Sequence, residues 1–305
     1  MKNFFINAII ILLITFFTGE LAFRYLKPMP TYSSLKKEAG GFYKKSNFNT
    51  FTLKENFKGF FSSNDNSSDL VEVSTDNNGF RNTIPNIKSD KKILILGDSY
   101  TFGVYISDKN IYSSQLSKLI NKNYPYEIIN AGYSSGHNTD QQYSWFSNYL
   151  LNNGCPETTI LGFFLGNDFN INKKAWLDKD KLGFPTKFID KNIYVDKDGF
   201  LRSKKKSIHT VASESVYKIP LLRESHLLIA FTKVIRHIEL KIKNISPSGW
   251  NFNNFKFIYG EYDDEFLRNE KLVLDLIYGL NLKMEKCNGN FIVLLLPINF
   301  MVNKD

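Results

Sequence analysis

A chain of 305 residues and 35.3 kDa with 43% hydrophobic residues is long enough for one large domain or two modest ones with a sizeable core. Its formal charge of +9 comes from dispersed lysines, and the only tight basic run, Lys204 to Lys206, reads as a solvated surface and not as a nucleic-acid footprint. No Walker or zinc-finger spacing occurs, and two cysteines make no disulfide framework.

The N-terminus opens with "NFFINAIIILLITFFTG", residues 3 to 19, without a charge. That run reaches the lower limit of about 17 residues for a bilayer span. A cleaved signal peptide would need small residues three apart, and Glu20 stands in the slot before Ala22. The reading is an uncleaved single-pass anchor over residues 1–27, a helix standing apart from the globular body. Lys2 precedes the span while Arg24, Lys27, Lys36 and Lys37 follow it, which by the positive-inside rule alone would keep the body inside. Long domains translocate largely regardless of charge, so the orientation rests on the site and is expected to be periplasmic or extracytoplasmic. Residues 28–90 read as an irregular lead-in, with "SSNDNSSD" as a loop tip and "VEVSTDNNGFRN" as a short strand with an Asn-Gly turn.

From residue 91 the pattern alternates: strand 92–97, helix 109–122, strand 126–131, helix 137–152, strand 158–165. That alternation predicts a doubly wound parallel α/β sheet. It breaks at about 170–255, where two loop-like stretches flank the amphipathic "SHLLIAFTKVIRHIELKIKN", an expected insertion or lid. A helix near 262–287 and the strand "NFIVLLLP" resume it, giving four parallel strands with the first one central. Cys155 and Cys287 each shortly precede one of these strands. Adjacent strands would place both thiols at one sheet edge, either bridged or as two unpaired thiols.

Three strand ends carry distinctive groups: Gly97-Asp98-Ser99, then "INAGYSSGHNTDQ" with Gly132 and Gly136, then Gly166-Asn167-Asp168. A parallel sheet gathers such C-terminal ends at one crevice. A serine there is a candidate nucleophile; a glycine loop lets a backbone N–H approach closely, and an asparagine amide is another donor. Together they supply what acyl transfer needs, a nucleophile facing an oxyanion hole.

Over roughly residues 76 to 300 the chain resembles the SGNH/GDSL hydrolase superfamily. Ser99 matches the serine of its first block, Gly136 its glycine, and Asn167 the asparagine of its G-x-N-D motif; Ser135 or Gly132 could take the glycine's place. "NNGFR", "GDSYTFG" and "FFLGND" also resemble its membrane-anchored bacterial members. The resemblance implies a three-layer α/β/α fold with a flavodoxin-like parallel sheet over 91–305. It implies a serine ester hydrolase or O-acyltransferase acting on acylated cell-envelope carbohydrate, with no metal or other cofactor and no nucleic-acid partner. A non-catalytic carbohydrate-binding or assembly protein is the alternative.

The superfamily takes its base from a late D-x-x-H block, and here none of His137, His209, His226 and His237 has an aspartate three residues before it. "INFMVNKD", after the last strand, is too short for a further crossover and strand, so the resemblance implies a chain without that block. His137 adjoins Gly136 but sits in the oxyanion loop, which argues against a base. Asp98 and Asp168 read as carboxylates holding the site's shape by accepting loop amides, in preference to an acid–base pair. Arg81 is a structural ion-pair partner in preference to a holder of a substrate carboxylate. Tyr100, Phe102, Phe163 and Phe164 are expected in the core.

Overall fold

The structure, a computed structural model, describes residues 2–62, 70–243, 260 and 262–297. The loop tip at 63–69, the end of the expected insertion at 244–255 and residues 298–305 lie outside the described residues. In chain order come α1 (Lys2–Leu26), α2 (Tyr32–Ala39), β1 (Tyr43–Lys45), β2 (Phe51–Leu53), β3 (Lys58–Ser62) and β4 (Leu70–Ser74). Next are β5 (Lys92–Gly97), α3 (Ser99–Phe102), α4 (Tyr112–Ile120), β6 (Glu127–Gly132), α5 (Thr139–Asn153) and β7 (Thr158–Phe164). The chain goes on through β8 (Trp176–Lys179), β9 (Pro185–Phe188), β10 (Ile193–Val195), β11 (Leu201–Ser203), α6 (Ile208–Lys218), α7 (His226–Ile242), α8 (Asp264–Glu285) and β12 (Asn290–Leu296). These fall into two compact units, one of residues 1–40, 62–70 and 205–252, the other of 41–61, 71–204 and 253–305.

The larger unit is mixed α/β around a four-stranded parallel sheet of order β12-β7-β5-β6. The first strand of the alternation, β5, is central, as the apolar run predicts. Its side chains alternate between two clusters. Leu94 and Leu96 join Tyr143, Phe146, Val273, Leu276 and Leu280 of α5 and α8, while Ile93 and Ile95 meet Tyr112, Leu116 and Ile120 of α4. A strand buried on both faces needs such a continuous apolar sequence. The fourth strand, β12, pairs only with β7 among the described residues and leaves Ile292 to Leu295 exposed. Cys155 and Cys287, each just before one of these two neighbouring strands, form a disulfide with Cα atoms 5.8 Å apart.

The lead-in is more ordered than its composition suggests. β1 pairs with β2 and β3 with β4, and Phe42, Phe51 and Phe57 are buried in the main core. The stretch from 170 also holds two hairpins, β8–β9 and β10–β11, where loops were expected. One repeated device builds three of the unit's turns. In Asp76–Phe80, Asp180–Phe184 and Asp196–Phe200 the aspartate Oδ1 accepts the N–H groups two and four residues on, and its own N–H donates to the phenylalanine carbonyl. The glycine between them has φ of +82°, +83° and +76°, a left-handed conformation that other residues rarely take.

In the smaller unit α1 is long and apolar enough to cross a membrane, with a mean hydropathy of 2.1 over its best window. It does not stand apart as the sequence suggests. Its C-terminal third packs on α7: Leu227 lies against Gly19, where a Cβ would come within 3.1 Å of it, and Met29, Ile229, Ala230, Phe23 and Val216 form a small core. Glu20 explains its own place in an apolar helix by accepting from Ser225 Oγ (2.8 Å), His226 N (3.2 Å) and Leu227 N (3.0 Å) at the start of α7. A carboxylate there satisfies amides that have no partner within the helix.

Candidate active site

Three glycines at one level of the sheet set the position of Ser99. Gly97 is in register with Gly132 on β6 and with Gly162 on β7. A Cβ on Gly97 would lie 2.0 Å from Thr101 Oγ1, one on Gly162 2.3 Å from the same atom, and one on Gly132 2.5 Å from Phe102 N. The short helix α3 therefore rests directly on the strand ends, closer than any side chain allows. Asp98 starts it by accepting from Tyr100 N at 2.9 Å, and the following Ser99 is half-buried at the end of the central strand. Gly97→Ala is expected to cost about 2–3 kcal/mol, because Thr101 is fully buried and cannot move aside. Thermal unfolding in detergent reads this as a loss of roughly 5 °C or more; an unchanged midpoint would refute the tight seating of α3.

The three strand-end loops are tied to one another. The Asn167 side chain lies near enough to the carboxylate of Asp98, the residue next to Ser99, to lower it. Thr139 Oγ1 donates to Asp168 O (2.9 Å) and Asn138 Nδ2 to Asn170 O (3.0 Å), joining the loop after β6 to the loop after β7. Tyr133 N donates to Gly97 O at 3.2 Å. Gly136 is exposed on the loop after β6, with φ +45° and open space where a Cβ would point. Gly132, the other glycine considered for that role, already gives its N–H to Asn130 Oδ1 at 3.0 Å.

The electrostatics are those of a dry, acidic floor. Asp98 and Asp168 are buried, and each has one carboxylate oxygen engaged and one without a hydrogen-bond partner among the described residues. Burial raises Asp98, opposed by the Tyr100 N–H hydrogen bond and by the nearby Asn167 side chain and Thr101 N–H. Asp168 lies well above the usual carboxylate range, through burial first and then the nearby charge of Asp98. Asp140 is pushed up to about 6 by burial, opposed by donors that include Trp176 Nε1 and Asn172 N. Hydrogen bonds from Tyr100 N to Asp98 and from Phe164 N to Asp168 fit the shape-holding reading of both acids.

His137 is the one histidine of this unit. It is buried, stacked on Tyr133 with centroids 4.0 Å apart, and bonded through Nε2 to Asn49 Nδ2 at 3.0 Å. Burial drives it down to about 3, so it stays neutral and is a poor proton acceptor. His226 accepts Met29 N–H through Nδ1 in the smaller unit, a structural task. Arg81 is fully buried in an ion pair with Asp108. Phe102, Phe163 and Phe164 are core residues, but Tyr100 is 46% exposed, its ring stacked on Phe164 at 3.8 Å. Sequence reasoning passed over Gly162, although its alignment with Gly97 and Gly132 follows once the strands are registered.

Among the described residues no group of three or more His, Cys, Asp or Glu side chains could hold a metal ion. A cavity of about 250 Å³ lies beside β6, lined by Phe80, Tyr133, Trp145, Tyr149 and Asn148, and does not include Ser99, Gly136 or Asn167. No protein-family model and no curated protein matches this chain.

Proposed function

We propose that the larger unit is an SGNH/GDSL-type acyl-transfer domain, a serine ester hydrolase or O-acyltransferase acting on acylated cell-envelope carbohydrate. Ser99 is the nucleophile, and the Gly136 N–H and the Asn167 amide are the oxyanion donors. The observation that carries this reading is that the loops after β6 and β7 are bonded to each other, Thr139 Oγ1 to Asp168 O and Asn138 Nδ2 to Asn170 O, with the Asn167 side chain near the Asp98 carboxylate beside the serine. An amide NH₂ has two donors, so one can hold Asp98 while the other faces a developing oxyanion. The Cys155–Cys287 disulfide supports an oxidising compartment, and with α1 as anchor it supports a body facing the periplasm or cell exterior.

In such a site Ser99 Oγ bonds to the ester carbonyl carbon, and its proton passes to a base. The tetrahedral oxyanion collapses with loss of the alcohol, and water or an acceptor hydroxyl then takes the acyl group. The base is the open position, because His137 is neutral, buried and bonded elsewhere. That observation favours the second reading, a non-catalytic carbohydrate-binding or assembly protein with the same pocket.

A fluorophosphonate probe separates the two. A covalent probe accumulates from one slow event, whereas turnover needs acylation and deacylation in every cycle. The expected result is an adduct that builds up over hours, maps to Ser99 and is lost in Ser99→Ala. No adduct would leave the binding-protein reading; fast Ser99-dependent turnover would require a working base.

A further inference from the structure

Helix α7 carries an apolar stripe that the smaller unit does not bury. Phe231, Val234, Ile238 and Ile242 follow one another at helical spacing and are 61%, 52%, 51% and 77% exposed, while Ile229, Ala230, Thr232 and Glu239 are buried. Ile219 and Leu221, just before the helix, are exposed as well. A solvent-facing helix would place polar residues on such a stripe.

Its position in the unit points to what covers it. The first turn of α7 is bonded to Glu20, a residue of the apolar span, and Leu227 rests on Gly19 one residue earlier. The helix therefore begins at the level of the span's C-terminal third, where Phe17 and Leu21 of α1 are themselves exposed. Residues 205–243 hold eight Lys or Arg against three Glu, and Arg236 and Lys241 of α7 and Lys243 just after it are exposed. An apolar stripe beside a cationic surface, joined to a spanning helix, suits the boundary between acyl chains and anionic headgroups.

We propose that α7 is an interfacial helix lying on the bilayer beside α1, with Phe231, Val234, Ile238 and Ile242 in the lipid. α1 and α7 then form a two-part membrane attachment, one element spanning and the other lying on the surface. This placement rests on α1 being in the bilayer and not on the chemistry proposed for Ser99.

Because the two native cysteines are bridged, single cysteines in the full chain can be labelled cleanly. Bimane would be placed in turn at Phe231→Cys, Val234→Cys, Ile238→Cys and Ile242→Cys, with Arg236→Cys as the off-stripe control and Ile10→Cys as the control in α1. Each protein is reconstituted in nanodiscs containing phosphatidylglycerol, then quenched with doxyl lipid or aqueous iodide. The stripe positions should follow Ile10, with doxyl quenching about twofold or more above that at Arg236 and weaker iodide quenching. Iodide quenching without doxyl quenching on the stripe would overturn the proposal, and protection from both quenchers would do so too, by showing a protein cover such as a second copy. Loss of doxyl quenching at Ile10 as well would refute the spanning reading; loss on α7 alone would refute only the interfacial placement.

Discussion

Arg81→Ala is expected to lower the stability of the unit that carries Ser99 by about 3–5 kcal/mol, the range for breaking a buried ion pair. The guanidinium is wholly buried, 2.5 Å from Asp108 Oδ1 and 2.7 Å from the Ile106 carbonyl, and lies over the Phe102 ring at 5.0 Å. Burial lowers it to about 10, which still leaves it charged at neutral pH. Alanine would strand Asp108 with Ser74 as its remaining hydrogen-bond partner among the described residues and open a void beneath α3. Lysine would not rescue it, because one ammonium cannot reach both the carboxylate and the carbonyl with a fork's geometry. Thermal unfolding in detergent should show a loss on the order of 10 °C. A shift of less than about 3 °C would mean that the pair is not the brace of α3.

Asn167→Ala should slow phosphonylation of Ser99 by about 100-fold or more, the usual cost of one oxyanion donor. Two roles would be lost together: the proposed donor to the reacting oxygen and the nearby amide that favours ionised Asp98. Asn167→Asp keeps the shape but removes both, since it offers no amide donor and adds a third carboxylate beside two buried ones. It should label no faster than Asn167→Ala. Labelling of Asn167→Ala at the unsubstituted rate would remove Asn167 from the site.

The parts of this fold that were legible in the sequence are those whose signal is local. β5 and β6 end in glycine and β7 is soon followed by Gly166, and α4, α5 and α8 show helical periodicity, so the alternating parallel architecture follows from spacing alone. What was not legible depends on partners distant in the chain. Glu20 looks out of place in an apolar span until α7, some 205 residues later, presents its first amides. The lead-in reads as irregular until the sheet supplies a core for Phe42, Phe51 and Phe57. α6, "IHTVASESVYK", is rich in Ser and Thr and has no buried residue, so periodicity had little to work on.

The hairpins between 176 and 203 are a different case, because their signal was present. Asp-x-x-Gly-Phe recurs at 76–80, 180–184 and 196–200, and each copy makes the same turn. An aspartate able to accept two N–H groups four residues before an aromatic, with a glycine between, specifies that turn by itself. At the site, the residues supplied by strand ends could be named in advance. The approach of Asn167 to Asp98 could not, because it needs the loops folded against one another.

The central claim is that Ser99, the Gly136 N–H and the Asn167 amide serve one reacting oxygen. A crystal structure of the Ser99 phosphonate adduct tests it most directly. The expected result is a phosphoryl oxygen within about 3.1 Å of both the Gly136 nitrogen and Asn167 Nδ2. A phosphoryl oxygen turned to solvent with neither donor in reach, or an adduct on a residue other than Ser99, would contradict it.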